Sequence, residues 1–542
     1  MPLSTTYRRQ SLNAPIFKLD DYLLWLIFSE TARMDMDLSY ASRHRKRHLH
    51  PLTVLRRCSH VCSLWRDILL HSPSLWGQLI DIEALLWSHD SWRKEVLSRT
   101  GQALLHVKGC IRFDPENEPW KGTGEYFLSL LNEYWPRIRR LRVEVMEVGV
   151  QSEEKALQRW RVLQRPAPNL EFFDVHFGLN TLSNLFTNEG NHLFSDNSPY
   201  LRHFVATNIK FQLSAPCFAH LKSLQISSYF TIFHILDAFS GMDSLESLTV
   251  DSLSMTPGDL PLPYVFLPLL TDVQVFGPTG PCMTLLDHIT AAPSCRIFFE
   301  AGSDKLPTMR EVEATHRVLE RYAKNYLETH AASAVSISIH LSSFTFFTNS
   351  ITTLNDHSSP DFKFRLDVRP DDISFLLGAL SQCSFDSVKT LYIGSRGLPT
   401  LDSNFIKLFK LLHSIEEVEL TPDGMTFLLT TSSEENGPDS PLFPLLKTIR
   451  IAPFITASDT DMILPFLHHR QSLGVPMKVF DLALHPLAGF PINFSFLDEI
   501  KGMKVAWKSG KESKTYVCGS GRPDELDFQY DPAHIMYDIE KL

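Results

Sequence analysis

LKSLQISSYFTIFHILDAFSGMDSLESLTV, residues 221–250, contains its own repeat. Leu221, Leu224 and Ile226 stand in the spacing L-x-x-L-x-I, and Leu245, Leu248 and Val250 stand in the same spacing with valine last. Each block alternates at its end, which is the period of a strand with one buried side. The segment between them, TIFHILDAFSGMDS, has the apolar spacing of one short amphipathic helix closed by a turn. A strand and a helix that cannot bury a core alone do so by stacking on further copies.

Further copies lie on both sides. Ile138–Leu141–Val143, Leu170–Phe173–Val175 and Leu270–Val273–Val275 follow the pattern, as do Val388–Leu391–Ile393, Ile415–Val418–Leu420, Leu446–Ile449–Ile451 and Met477–Phe480–Leu482. Weaker copies are LRHFVA (201–206), AVSISIHL (334–341) and FKFRLDV (362–368). Neighbouring copies are mostly about 20–32 residues apart, the period of a leucine-rich repeat. CMTLLDHITAAPS, DDISFLLGALSQCS and NFIKLFKLLHS read as intervening helices. The expected fold class is therefore α/β: a curved solenoid of parallel strands and helices, with Leu224, Leu248, Val273, Leu391, Val418 and Ile449 buried. Residues 307–334 break the rhythm and read as one longer helix with Val312, Val318, Leu319, Tyr322 and Leu327 on a face. It is either a seam between two arrays or a long helix within one repeat.

Ahead of the repeats the texture is helical. Asp20 or Asp21 can cap a helix bearing Leu23, Leu24, Ile27 and Phe28. A basic segment, SRHRKRHLHP (42–51), precedes a second helix in which Leu55, Cys58, Val61, Cys62, Trp65, Ile68 and Leu69 recur at steps of three and four. Ser72 before Pro73 resists the helical conformation and ends it, and Leu75, Trp76 and Leu79 follow. The basic hexapeptide at 43–48 reads as a solvated loop or as an import signal.

LDDYLLWLIF (19–28) followed by LRRCSHVCSLWRDILLHSPSLWGQL (55–79) resembles an F-box. Val61, Cys62, Trp65, Arg66, Pro73, Leu75 and Trp76 carry the resemblance; Asp20 stands where the family pattern has proline, and the 42–51 insert lengthens the first connection. SWRKEVLSRTGQALLHVKG (91–109) and YWPRIRRLRVEV (134–145) extend it loosely to fungal F-box proteins with degenerate leucine-rich repeats. The resemblance implies a substrate-recognition adaptor of a cullin–RING ubiquitin ligase. Leu19, Leu23, Ile27, Phe28, Leu55, Val61, Cys62, Trp65, Ile68, Leu75 and Trp76 would meet a Skp-type adaptor, the repeats would hold a protein substrate, and the other ligase subunits would do the chemistry. The competing reading makes the same helices a cap on the end of the array, in an interaction scaffold with no ligase link.

The remaining composition narrows the classes. The formal net charge of −10 over 542 residues argues against wholesale nucleic-acid or anionic-membrane binding. No apolar run has the length of a membrane span or signal peptide, so an intracellular chain is expected. The eight cysteines have no framework spacing and read as free thiols, mostly core residues; Cys58 and Cys62 at i, i+4 lie on the apolar face rather than in a zinc site. GSG within CGSGRPDE (518–525) lacks the strand-turn-helix setting of a nucleophile elbow, and no P-loop, HExxH or CxxC motif is present. The expectation is no enzyme, no metal and no cofactor.

Along each strand the residues between buried positions should point outward. They include Arg142, Asp174, Gln225, Thr249, Gln274, Tyr392, Glu419 and Arg450, a mixed set suited to a protein surface. Arg142, Gln225, Tyr392 and Arg450 are the expected substrate contacts. The organisation expected is a disordered start (1–15), an F-box-like helical domain (16–90), a first array (91–300), the long helix or seam (301–334), a second array (335–509) and a tail (510–542).

Overall fold

The structure, a computed structural model, describes residues 15–33, 50–86, 89–113, 122–147, 158–178, 192–253 except 228, 261–301, 306–340, 343–348, 361–395, 403–420, 441–451, 460–482 except 462, 492–509 and 512–528, with single positions 186, 424 and 428. The basic hexapeptide 43–48 and residues 1–14 lie outside them. The chain forms two compact units, Met1–Pro263 and Tyr264–Leu542. Both are mixed α/β, and most of their strand pairing is parallel.

In the first unit the strands are β1 (Ile80–Asp81), β2 (Leu105–Phe113), β3 (Ile138–Glu147), β4 (Phe172–Phe177), β5 (His203–Thr207), β6 (Ser223–Ile226) and β7 (Ser247–Asp251). Each is parallel to the one before it. Leu141, Phe173, Phe204, Leu224 and Leu248 are direct partners across β3–β7, and all are buried. The register thus places the middle residue of every copy in one apolar row, the arrangement that keeps each strand's core set on one side.

What covers that row differs from the expectation. The segment after β6 is the expected helix, Ile232–Phe239, with Thr231 as its N-cap. Between β3 and β6, the described connectors instead carry short turns: 3-10 turns at Arg161–Gln164 and Pro216–Phe218, and a turn at Leu193–Asp196 with left-handed backbone at Phe194, Ser195 and Asp196. Aromatic rings do the packing there. Phe173 stacks on Phe204 at 5.2 Å, and Phe204 meets Phe218 edge-on at 4.8 Å. Phenylalanine supplies enough area per residue that a turn suffices where an aliphatic sequence needs a helix.

The second unit contains β8 (Val265–Leu267), β9 (Asp272–Phe276), β10 (Ile289–Ala291), β11 (Arg296–Glu300), β12 (Ala334–His340), β13 (Ser343–Thr348), β14 (Phe362–Asp367), β15 (Thr390–Ser395), β16 (Glu417–Leu420), β17 (Thr448–Ile451), β18 (Val479–Asp481), β19 (Ile492–Asn493), β20 (Lys504–Ser509), β21 (Glu512–Val517) and β22 (Asp527–Phe528). β8 pairs with β10, and β19 with β22, outside the main sheet. The main sheet runs β9–β11–β14–β13–β12–β15–β16–β17–β18–β20–β21. Val273, Leu391, Val418 and Ile449 are buried in parallel strands.

Two places depart from an all-parallel array. Two of the weaker copies, 334–341 and 362–368, became β12 and β14, with antiparallel β13 between them, so the chain order is reversed locally. Residues 341–342 alone separate β12 from β13, far short of the dozen or so a parallel crossover needs. At the C-terminal side the sheet continues past residue 509: β21 returns antiparallel on β20, and Tyr516, Cys518 and Leu526 are buried. That stretch is part of the packed unit rather than a tail.

The long helix, Met309–Thr329, lies inside the second unit. Thr308 and Glu311 form a capping box, with Glu311 Oε2 accepting from the Thr308 backbone N–H at 2.7 Å. Val312, Val318, Leu319, Tyr322 and Leu327 are all buried, as the spacing predicts. The segments read as helices, 282–294, 371–384 and 404–414, contain most of Thr279–His288, Pro370–Leu380 and Ser403–Leu411. Among the described residues no helix is long and apolar enough to cross a membrane. All eight cysteines are free thiols, six of them buried.

Candidate docking surfaces

The N-terminal helices come first. Asp21–Thr31 is capped by Asp20, whose Oδ1 accepts from the Leu23 N–H at 2.8 Å. The second helix is two helices, which corrects the sequence reading. Pro51–Cys58 ends at Ser59, and Ser63–Leu70 begins anew from Cys62 in an extended conformation (φ −155°, ψ 171°). Cys62 Sγ accepts from the Trp65 N–H at 3.5 Å, and Ser59 Oγ donates to the Arg56 carbonyl at 2.7 Å. The steps of three and four continue across the break, so periodicity alone could not reveal it. Cys58 and Cys62 therefore sit on different helices.

The break divides the expected adaptor residues into two sets. Phe28, Leu55, Leu75 and Trp76 are buried. Leu19, Cys62, Trp65 and Ile68 are half-buried, and Trp65 meets Phe28 edge-on at 5.0 Å. Leu23, Ile27 and Val61 are exposed at 42%, 41% and 58%, and Tyr22, Leu26 and Leu64 beside them are also exposed. The Asp21–Thr31 helix packs against both Pro51–Cys58 and Ser63–Leu70, so these apolar side chains belong to one helical module. Periodicity marked Leu23, Ile27 and Val61; Tyr22, Leu26 and Leu64 escaped it because they sit off the repeating face.

The break at Ser72 and Pro73 serves to bury Trp76. Pro73 opens the helix Pro73–Gly77, which turns Trp76 inward, where its Nε1–H donates to the Leu69 carbonyl at 2.8 Å. A Cβ on Gly77 would lie 2.5 Å from the Leu104 carbonyl oxygen, so only glycine lets this turn approach the chain entering β2. His50 ties the same module to β1: its Nδ1 accepts from the Leu52 N–H, and its Nε2 lies 3.1 Å from Asp81. Burial would raise the Asp81 carboxyl, but the His50 contact, the Ala84 N–H and Lys108 hold it below its ordinary value.

The outward strand positions form the second surface, and the register decides who meets whom. In the first unit Lys108, Arg142, Asp174, Val205, Gln225 and Thr249 are successive partners. Arg142 Nε lies 2.9 Å from buried Asp174, and His176 Nε2 lies 2.8 Å from its other oxygen. Both are close contacts without aligned hydrogen-bond geometry, the first an ion pair. Gln225 is half-buried further along the row.

In the second unit the row is Ser336, Tyr392, Glu419, Arg450 and Asp481. Arg450 lies 2.6 Å from Glu417 and 3.1 Å from Asp481, with Glu419 at 3.8 Å. Burial pulls the Arg450 guanidinium down, but Glu417, Asp481 and Glu419 outweigh it and leave it raised. Burial raises the Glu419 carboxyl against the pull of Arg450. Arg142 and Arg450 are half-buried, and each is engaged by carboxylates of its own sheet. Tyr392 is half-buried between Ser336 and Glu419. Gln274, on β9, lies near Asp272 (3.3 Å).

A third row, His106, Arg140, Phe172, His203, Ser223 and Ser247, runs beside the Arg142 row. Phe172 stacks on His203 at 4.1 Å, and the Arg140 guanidinium lies 5.6 Å from the Phe172 ring centre. Burial, then Arg140 and Arg139, push the His106 imidazole down to about 4. An unfolded histidine titrates near 6.5, so between these values the unfolded chain binds the extra proton. The contribution is fully present above about 6.5 and is lost as pH falls through about 4, worth up to about 3 kcal/mol. The first unit's resistance to urea unfolding, read by hydrogen exchange over residues 89–113, should therefore weaken between pH 7 and pH 4.5 more in the wild-type chain than in His106→Gln. Parallel losses in the two proteins would contradict this placement of His106.

No family model matches the chain, and no curated protein matches it. Among solved structures, a crystal structure of a Bacteroides fragilis protein, a target of the Northeast Structural Genomics Consortium, aligns over 72% of this chain and 77% of its own at 8% identity, with a TM-score of 0.23.

Proposed function

We propose that the chain is a substrate-recognition subunit of a cullin–RING ubiquitin ligase. The N-terminal helical module docks on a Skp-type adaptor, and the outward faces of a leucine-rich-repeat-like array hold a protein substrate. The observation that carries the reading is the set of exposed apolar side chains, Leu23, Ile27 and Val61 with Tyr22, Leu26 and Leu64, on the helices that resemble an F-box. Apolar side chains grouped on one small module mark a protein-docking surface. The chain-ordered parallel strands, each bringing the middle residue of its copy to one buried row, support the array.

A second reading has its own observation. His50 against Asp81 of β1, and Gly77 close against Leu104 at the entry to β2, fasten the helical module to the edge of the first sheet, as a capping element requires. On that reading the chain is a leucine-rich-repeat interaction scaffold with no ligase link. Val61→Asp separates the two. Val61 is 58% exposed, so the substitution should leave thermal unfolding unchanged. Affinity for a purified Skp-type adaptor should fall at least about tenfold. An unchanged affinity in the folded variant removes Val61 from the interface and favours the cap.

A further inference from the structure

A cleft of about 360 Å³ in the first unit is lined by Trp25, Ser29 and Glu30 of the Asp21–Thr31 helix, by Arg33 just past its end, by Gln78, and by His106 and Arg140 on the paired strands β2 and β3. Neither the adaptor surface nor the Arg142 row uses it. We propose that this cleft binds the carboxylate of an acidic side chain on a protein ligand, with Arg140 as the anchoring cation.

The charges define the ligand. Arg33 Nη1 lies 3.8 Å from Glu30 in the last turn of the helix. Arg140 has no carboxylate within 4.0 Å among the described residues. Its guanidinium lies over Phe172, which is itself stacked on His203. An arginine held on an aromatic face keeps its rim of N–H donors free for a planar, bidentate acceptor. The imidazole of His106 is neutral at physiological pH, because burial and the two adjacent arginines disfavour its charged form. Arg33, Arg140 and Glu30 then leave one net positive charge in the lining. One charge balances a carboxylate; a phosphate, at nearly two negative charges at neutral pH, is left unbalanced.

The neutral groups fit the same ligand. The Gln78 side chain makes no hydrogen bond among the described residues and offers an amide donor. The Ser29 hydroxyl proton is already given to the Leu26 carbonyl at 2.8 Å, so Ser29 supplies no donor. Trp25 gives the cleft an aromatic wall against which the methylene groups of a glutamate side chain can lie. The ligand is taken as a polypeptide because the proposed function is protein recognition, and the proposal rests on that reading to this extent. It does not require adaptor binding.

The test uses the full chain and a fluorescein-labelled peptide of alternating glutamate and glycine, with its glutamine counterpart, followed by anisotropy. The glutamate peptide should bind at least about tenfold tighter than the glutamine peptide. Arg140→Glu and Arg140→Gln should each lower that affinity about tenfold, while Arg310→Glu, at an exposed arginine of the second unit, should leave it unchanged. Acetate should displace the peptide at least as well as phosphate at equal ionic strength. Three results overturn the proposal: an Arg140→Gln affinity within about twofold of wild type, an equal loss in Arg310→Glu, or preferential displacement by phosphate. Adaptor affinity measured on the same variants reports separately on the ligase reading.

Discussion

Trp76→Ala is expected to destabilise the first unit by about 4 kcal/mol. The indole is fully buried and its N–H donates to the Leu69 carbonyl at 2.8 Å. It meets Trp92 edge-on at 6.3 Å, and the Arg99 guanidinium lies 4.5 Å from its ring centre. Truncation opens a large cavity, removes the indole hydrogen bond to a carbonyl that the Ser72 N–H then serves at 3.3 Å, and removes the aromatic face under a cation; each of these costs separately. Trp76→Phe keeps most of the apolar volume and should cost clearly less. Because the chain has two compact units, one global unfolding energy is not well defined. Hydrogen exchange over residues 51–113 is therefore the appropriate measurement. Protection there within about 1 kcal/mol of wild type would contradict the packing described.

The repeats were legible because a buried strand position tolerates little but aliphatic and aromatic side chains. Leu224, Leu248, Val273, Leu391, Val418 and Ile449 were each identified from spacing, and each is buried in a parallel strand. Strand direction is different, since alternation reads alike along either direction. The reversed order of β12–β14 was written only in the brevity of residues 341–342. The split at Cys62 was hidden because its capping group is a thiol, outside the usual oxygen-bearing N-cap residues.

The outward residues were partly legible. Arg142 and Asp174 occupy the same position in successive copies, as do Glu419, Arg450 and Asp481. Parallel in-register stacking makes such residues neighbours, so aligning the copies predicts the ion pairs before any coordinates. The cleft at Arg140 was not legible at all. It joins a helix, a turn and two strands whose side chains carry no shared motif.

Replacing Leu23 and Ile27 together by glutamate is expected to lower affinity for a Skp-type adaptor at least about 100-fold, or about 2.7 kcal/mol. Both side chains are more than 40% exposed, on a helix whose buried contacts are Leu24 and Phe28. The fold should therefore be indifferent to the change, while an apolar interface would have to desolvate two carboxylates. Retained affinity in the folded double variant would move the interface off this helix.

The most direct measurement is calorimetric titration of the full wild-type chain with a purified Skp-type adaptor. A one-to-one complex is expected, with a dissociation constant at or below about 1 µM, the affinity of a specific interface of ordinary size. Absence of binding at tens of µM of both folded proteins would contradict it and leave the N-terminal helices as a cap.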